Sequence, residues 1–330
     1  MFGIERRHFI TLIGGAAIWP LAALAQQSAK IRRIGFLAND PTIPAQAAGK
    51  AFLEALRDQG FVEGRNIVIE RRFAQGAPER SAELAAELVR LDLELIVASG
   101  QNNVTALKQA TKSIPVVMVN VFDPVGMGIV GSLALPRSNF TGLTSHVSPE
   151  MVGKRLQLLK DAFPRTSRVG VLRMPSFTHD QMQWDALEHA APALNVRLIA
   201  VPIRGHNDLE GAFAALRRDR PDALFGLNDP ATLIFRKQIA EFAAQERLPA
   251  MYPFTEVTET GGLMSYGASR TALFHRAAGY VVKILNGARP AEMPIEQPVK
   301  FELVINVKAA NAIGLTIPRE ILLLADEVIE

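Results

Sequence analysis

The sequence predicts an α/β chain of two similarly built, doubly wound lobes, and three observations carry that expectation. Short β-branched or apolar runs alternate with amphipathic helical stretches from Ile31 onward, the pattern of parallel strands joined by crossover helices. The same order of elements restarts after Pro164. Three segments of the first half also match three of the second in the same order, each offset by roughly 130 residues. The expected architecture is two Rossmann-like lobes with parallel sheets, joined by a multi-strand hinge.

Residues 34–38 read as the first strand, 46–59 as a helix closed by Gly60, and 67–73 as the second strand. A helix follows over 78–89, a third strand over 95–98, a helix over 102–112 and a fourth strand over 116–119. In the second half Arg168-Val169-Gly170-Val171-Leu172 parallels Arg33-Ile34-Gly35-Phe36-Leu37. Ala223-Leu224-Phe225-Gly226-Leu227-Asn228-Asp229 parallels the run from Leu95 to Asn102. Leu248-Pro249-Ala250-Met251 parallels Ile114-Pro115-Val116-Val117-Met118. A long helix over 269–286 then ends at Gly287, followed by a strand over 301–306 and a short helix opened by Ile317-Pro318-Arg319-Glu320. A tail that revisits both lobes gives boundaries of 26–143 plus 265–297 for the first and 144–264 plus 298–330 for the second.

Composition narrows the function. The 36 basic and 33 acidic side chains leave a charge of only +3, with no long basic run, so no nucleic-acid partner is expected. The chain has no cysteine, which removes disulfides, thiolate nucleophiles, Cys-ligated zinc and a Cys-linked lipid anchor. At the N-terminus, Glu5-Arg6-Arg7-His8-Phe9-Ile10 supplies a charged segment, 10–24 an apolar one broken by Gly14-Gly15 and Pro20, and Ala23-Leu24-Ala25 a small-x-small cleavage site. Export to the periplasm with cleavage after Ala25 is expected. The paired arginines resemble a twin-arginine signal, although Thr11 stands near the place of its usual lysine.

Two doubly wound lobes bring the carboxyl ends of their strands to a shared cleft, where ligands of open α/β sheets bind. Ser99, Gly100, Gln101 and Asn102 are candidates for a ligand carboxylate, with Asn102 expected to cap its helix and free peptide N–H groups at the helix start. Asp123 and Asp229 each end a strand just before a proline, and either can serve a ligand ammonium group or simply cap a helix; Asn228 adds an acceptor beside Asp229. Asn39 and Ser176 occupy equivalent lips of the two lobes. Tyr252 and Tyr266, with Phe122, Phe177 and Phe254, are aromatic candidates for stacking on a ligand or for the core.

No His-Glu-x-x-His, Gly-x-Ser-x-Gly, Walker loop or dinucleotide fingerprint is present, and His146, His179, His189, His206 and His275 are scattered without ligand spacing. No catalytic residue, cofactor or metal is expected.

Several segments together carry a resemblance. They are the leader through Trp19-Pro20-Leu21-Ala22, Gly60-Phe61-Val62-Glu63-Gly64-Arg65-Asn66, Asp123-Pro124-Val125 and Asn139-Phe140-Thr141-Gly142-Leu143. Met264-Ser265-Tyr266-Gly267, Phe301-Glu302-Leu303-Val304-Ile305-Asn306 and Ala325-Asp326-Glu327-Val328-Ile329 complete the set. The chain resembles, over nearly its whole length, the tryptophan/tyrosine-type substrate-binding proteins of ABC transporters, which have the type I periplasmic binding-protein fold. The resemblance implies a monomer that captures a small-molecule solute by hinge closure and delivers it to an inner-membrane ABC permease. It leaves the solute open among an aromatic amino acid, a branched-chain one and an aromatic carboxylate. A sensory module of the same fold, passing ligand occupancy to a receptor, is the alternative.

Overall fold

The computed structural model describes residues 31–330, except 40, 43–45, 76–77, 146–147, 178 and 205–207. The proposed leader, with its twin-arginine motif and cleavage site, lies outside the described residues, as do His146 and His206.

The first half runs β1 (Arg32–Ala38), α1 (Ala47–Asp58), β2 (Ile67–Phe73), α2 (Pro78–Val89), β3 (Leu95–Ser99), α3 (Gln101–Ala110), β4 (Val116–Val121) and β5 (Phe140–Thr144). Its strands form a parallel sheet in the order β2-β1-β3-β4-β5, with Ile34 opposite Ile69 on one side and Leu95 on the other. The second half continues with α4 (Pro149–Ala162), β6 (Arg168–Arg173), α5 (Asp180–Ala190), β7 (Arg197–Pro202), α6 (Leu209–Asp219) and β8 (Ala223–Gly226). Then come α7 (Pro230–Ile234), α8 (Arg236–Gln245), β9 (Ala250–Tyr252), α9 (Thr255–Glu259) and β10 (Met264–Ala268). The tail supplies α10 (Arg270–Leu285), β11 (Phe301–Asn306), α11 (Val307–Ala312), α12 (Arg319–Leu322) and β12 (Glu327–Ile329).

The second sheet has the order β12-β11-β10-β9-β8-β6-β7. Its β7-β6-β8-β9-β10 part repeats the order of the first sheet, which is the relationship the matched segments imply. β11 extends it antiparallel to β10, and β12 pairs parallel to β11.

Helices cover both faces of each sheet, so the central strands are buried along their whole length, as β3 and β8 are. In α1, Ala48, Phe52, Ala55 and Leu56 recur at helical spacing and seal one face of the first sheet. The same face receives α10, through Leu273, Phe274, Ala277, Ala278 and Val281. Each such large aliphatic or phenyl group contributes about 1.5–3 kcal/mol on leaving water, which anchors a C-terminal helix to the N-terminal lobe.

The chain therefore passes between lobes three times: after β5, between β10 and α10, and between Glu296 and β11. One boundary differs from expectation. Residues 265–268 pair in the second sheet, Ser265 beside Tyr252 and Val304, so the return to the first lobe begins at α10. The strand hydrogen bonds hold these residues to the second lobe, whereas the apolar face of α10 fits only the first.

Two glycines of the recognised segments answer to close backbone approach. A Cβ on Gly142 would lie 2.1 Å from the Met118 carbonyl oxygen, and one on Gly267 would lie 2.0 Å from that of Pro253.

Candidate ligand-binding site

The strand ends of the two sheets face each other across a cavity of about 300 Å3 that takes its walls from both lobes. A smaller hollow of about 20 Å3 adjoins it, sharing Asn120, Glu256 and Arg270.

The first-lobe wall is Asn39 after β1, Gln75 after β2, Ser99 and Gly100 at the end of β3, and Asn120 in β4. Asn103 organises it from beneath. This fully buried side chain donates to Asn39 Oδ1 at 3.1 Å and to the Ser99 carbonyl at 2.7 Å, and accepts from the Ser81 hydroxyl at 2.8 Å. With Oδ1 of Asn39 occupied, its amide nitrogen lies beside Gly100, 3.1 Å from where a Cβ on that glycine would stand. Gly100 itself holds φ at +92°, a conformation that glycine adopts without steric cost, and is the residue from which α3 starts.

Asn120 and Gln75 also have left-handed backbones, at φ +60° and +54°. Asn120 sits where the β4–β5 register shifts between Met118 and Val121, an irregularity that re-aims a side chain at a strand end. Non-glycine residues held there store strain, of order 1–3 kcal/mol each, and such residues gather at ligand clamps.

The second-lobe and hinge wall carries charge. Glu256 of α9 pairs with Arg270, the first residue of α10, and Arg270 also reaches Gln46 Oε1 of the first lobe at 3.4 Å. The guanidinium lies 5.7 Å from the Phe274 ring centre, and its Nε is buried without a hydrogen-bond partner. Arg236 adds a second cation, while Leu233 and the half-exposed Ile234 supply an apolar surface. Burial, then the neighbouring Glu256, pushes the Glu259 carboxyl upward against the pull of Arg270 and Arg236.

Of the residues singled out in the sequence, Asn39, Ser99 and Gly100 line the main cavity and Asn228 the adjoining hollow. The others lie elsewhere. Asn102 is not the helix cap: α3 begins one residue earlier from Gly100, so Gln101 and Asn102 fall within its first turn and outside the lining. Asp123 folds back to accept from the Gly126 peptide N–H at 2.8 Å. Ser176 is exposed on its turn, outside the lining. Asp229 is buried, accepting the Thr232 N–H at 2.8 Å as cap of α7; burial drives its carboxyl up to about 7. Close to it, the fully buried Arg155 guanidinium is lowered by burial to about 9, with the Asp229 charge opposing that fall.

Tyr252 is wholly enclosed in the second-lobe core, because its strand is central and covered on both faces; burial raises its hydroxyl. Tyr266 packs toward Phe301, ring centres 6.3 Å apart, on the opposite side of the sheet. Sequence reasoning missed Gln75, Asn120, Arg236, Glu256 and Arg270. One signal was available for Arg270: a cation in the first turn of a helix, without an acidic residue there, opposes the helix dipole and needs another reason to be present.

The profile of the ABC transporter substrate binding protein family matches residues 39–329. The chain belongs to that family. Proteins of this kind bind substrates for a transporter and are not enzymes as a class. A tyrosine-binding protein of Clostridioides difficile (strain R20291) is 26% identical over 290 residues, which are 87% of this chain and 82% of that protein. A conserved domain protein of Vibrio cholerae is similar in structure, with TM-score 0.79 and 27% identity, covering 91% of this chain and 100% of that one. A Streptococcus domain solved with L-Trp shares the fold at TM-score 0.79 and 24% identity, covering 90% and 99%. Among the described residues, no helix is long and apolar enough to cross a membrane.

Proposed function

We propose that this family member is the periplasmic solute-binding component of an ABC importer, and that it captures an amino acid, an aromatic one in first place, by closing its lobes over the cleft. The observation that carries the reading is the division of chemistry across the cavity. Neutral hydrogen-bonding groups stand on the first lobe, at Asn39, Ser99 and the Gly100 end of α3, and a carboxylate-guanidinium pair stands on the second-lobe and hinge side. An α-carboxylate matches the amide and peptide donors at the start of α3, where the helix dipole is positive. The ammonium group matches Glu256, the acidic side chain among the cavity's lining residues. Leu233 and Ile234 offer the apolar surface that a tyrosine or tryptophan side chain requires. A cavity of about 300 Å3 lies at the lower edge of small-molecule sites, which span about 300–1,000 Å3.

Tyrosine and L-Trp, the ligands of the similar Clostridioides and Streptococcus proteins, agree with this choice. Contacts made from two lobes favour the closed arrangement by the ligand's differential affinity for it, and an inner-membrane permease reads that shape. The leader residues support export with cleavage after Ala25.

The test is a thermal-shift screen of protein beginning at Gln26 against the amino acids and aromatic acids, with calorimetry on the hits. A saturable one-to-one rise in melting temperature with L-Tyr or L-Trp is expected, since a ligand bound only to the native state stabilises it. A flat response to every α-amino acid would overturn the assignment.

A further inference from the structure

The Asp123-Pro124-Val125 segment takes no part in lining the cavity, yet its first residue and the preceding Phe122 touch the second lobe. Phe122 and Asp123 follow β4 of the first lobe, and Phe177 and His179 follow β6 of the second. Phe122 sits in a loop but is only 4% exposed, and the residues that bury it belong to the second lobe's core. Its ring centre lies 4.2 Å from that of the His179 imidazole and 5.7 Å from that of Phe177, which it meets edge-on at 69°. Beside this contact, Asp123 Oδ2 stands 3.3 Å from His179 Nε2. The other carboxylate oxygen is held by the Gly126 N–H, so the group is pre-aimed across the gap.

We infer that Phe122, Asp123 and His179 form a latch that holds the lobes closed and thereby sets the affinity of the cleft. The latch also reaches the cleft wall. His179 caps α5, and its carbonyl accepts from the Gln183 peptide N–H at 3.2 Å. The buried Gln183 side chain clamps the Asn228 peptide from both sides, accepting its N–H at 2.8 Å and donating to its carbonyl at 3.1 Å. Gln183 is thus a positioning residue: it carries the place of His179 to Asn228, which lines the hollow beside the cavity. A first-lobe side chain inserted at His179 and a ligand seated against Asn228 favour the same arrangement of the second lobe. This inference rests on reading the cleft as the solute site, but the latch itself is measurable without solute.

The chain contains no cysteine, so a Glu79→Cys/Arg204→Cys protein accepts two spin labels and no others, one at the cleft-side end of each lobe. Double electron-electron resonance on the ligand-free protein should show a short-distance, closed population. Phe122→Ala and His179→Ala should each lower the closed-to-open ratio about fivefold, the size expected for a lost aromatic pair. Asp123→Asn, which keeps shape and removes charge, should lower it less, about twofold. The dissociation constant for L-tyrosine should rise in parallel.

Unchanged distance distributions in the variants, or no closed population in the unliganded parent, would overturn the latch. So would a Phe122→Ala protein that melts early while its lobes stay closed, because Phe122 would then be core alone. A latch effect on distance in a protein that binds no amino acid would sink the solute assignment and leave the latch standing.

Discussion

Glu256 and Arg270 meet in the cleft as an ion pair, one on a second-lobe helix and the other on the first turn of the helix that returns to the first lobe. Their side chains are 12% and 18% exposed, so the pair is shielded from most solvent yet borders the cavity. Glu256→Gln removes the charge and keeps the shape. Calorimetry should show amino-acid binding weakened by about 10- to 100-fold, the scale of one hydrogen bond to a charged group, while an analogue lacking the amine should lose far less. Equal losses for both compounds would remove Glu256 from the ammonium site.

Asn103 lies beneath the wall rather than on it. Asn103→Ala leaves Ser81, Ser99 and Asn39 each short of a partner, and should cost about 2–3 kcal/mol in denaturant unfolding. Affinity should fall as well, because the Asn39 amide is no longer held in one orientation.

Gly142→Ala should be among the most damaging small changes. The new Cβ would overlap the Met118 carbonyl, and φ at +129° is unfavourable for any L side chain, so a loss of about 3 kcal/mol or more is expected. Gly314→Ala is the control. It has open space and a φ of +74°, and should lose only about 1–2 kcal/mol.

The crossover before β11 is pinned by Arg276, which donates to the two Glu296 oxygens at 2.7 and 2.6 Å and holds that carboxyl below its usual range. A depressed folded-state value means that folding favours the ionised form. The contribution is fully present above the unfolded value of 4.5 and is lost as pH falls below it and through the depressed folded-state value. Both side chains are a third or more exposed, so the effect is small after solvent screening. Glu296→Gln should lower the melting temperature at pH 7 by about 2 °C, and the difference should shrink as pH falls below 4.5 through the depressed folded-state value. A constant difference across that range would assign the loss to packing.

Much of the fold was legible because its signals are local. The strands at Ile67 and Phe301 have the expected bounds, and the restart after Pro164 anticipates two sheets of one strand order. The cleft was legible mainly on its first-lobe side, with Asn228 of the adjoining hollow the exception from the second lobe. Asn39, Ser99 and Gly100 follow short strands whose ends can be read from apolar runs, and they reach the cavity. Asp123, Asp229 and Tyr252 carry the same kind of signal but are drawn into a turn, a helix cap and the core. At a strand end, a polar or aromatic side chain has several neighbours available, and distant packing decides among them.

The sequence by itself determined the α/β class, the internal repeat and the helix ends marked by Gly60 and Gly287, since periodicity and backbone sterics act over a few residues. Only the tertiary structure decided that Arg270 faces Glu256, that Asn120 turns into the cleft, and that Phe122 of one lobe is buried in the other. Those relationships join residues from different lobes, and they exist only once α10 has buried its apolar face against the first sheet and brought the two sets of strand ends together.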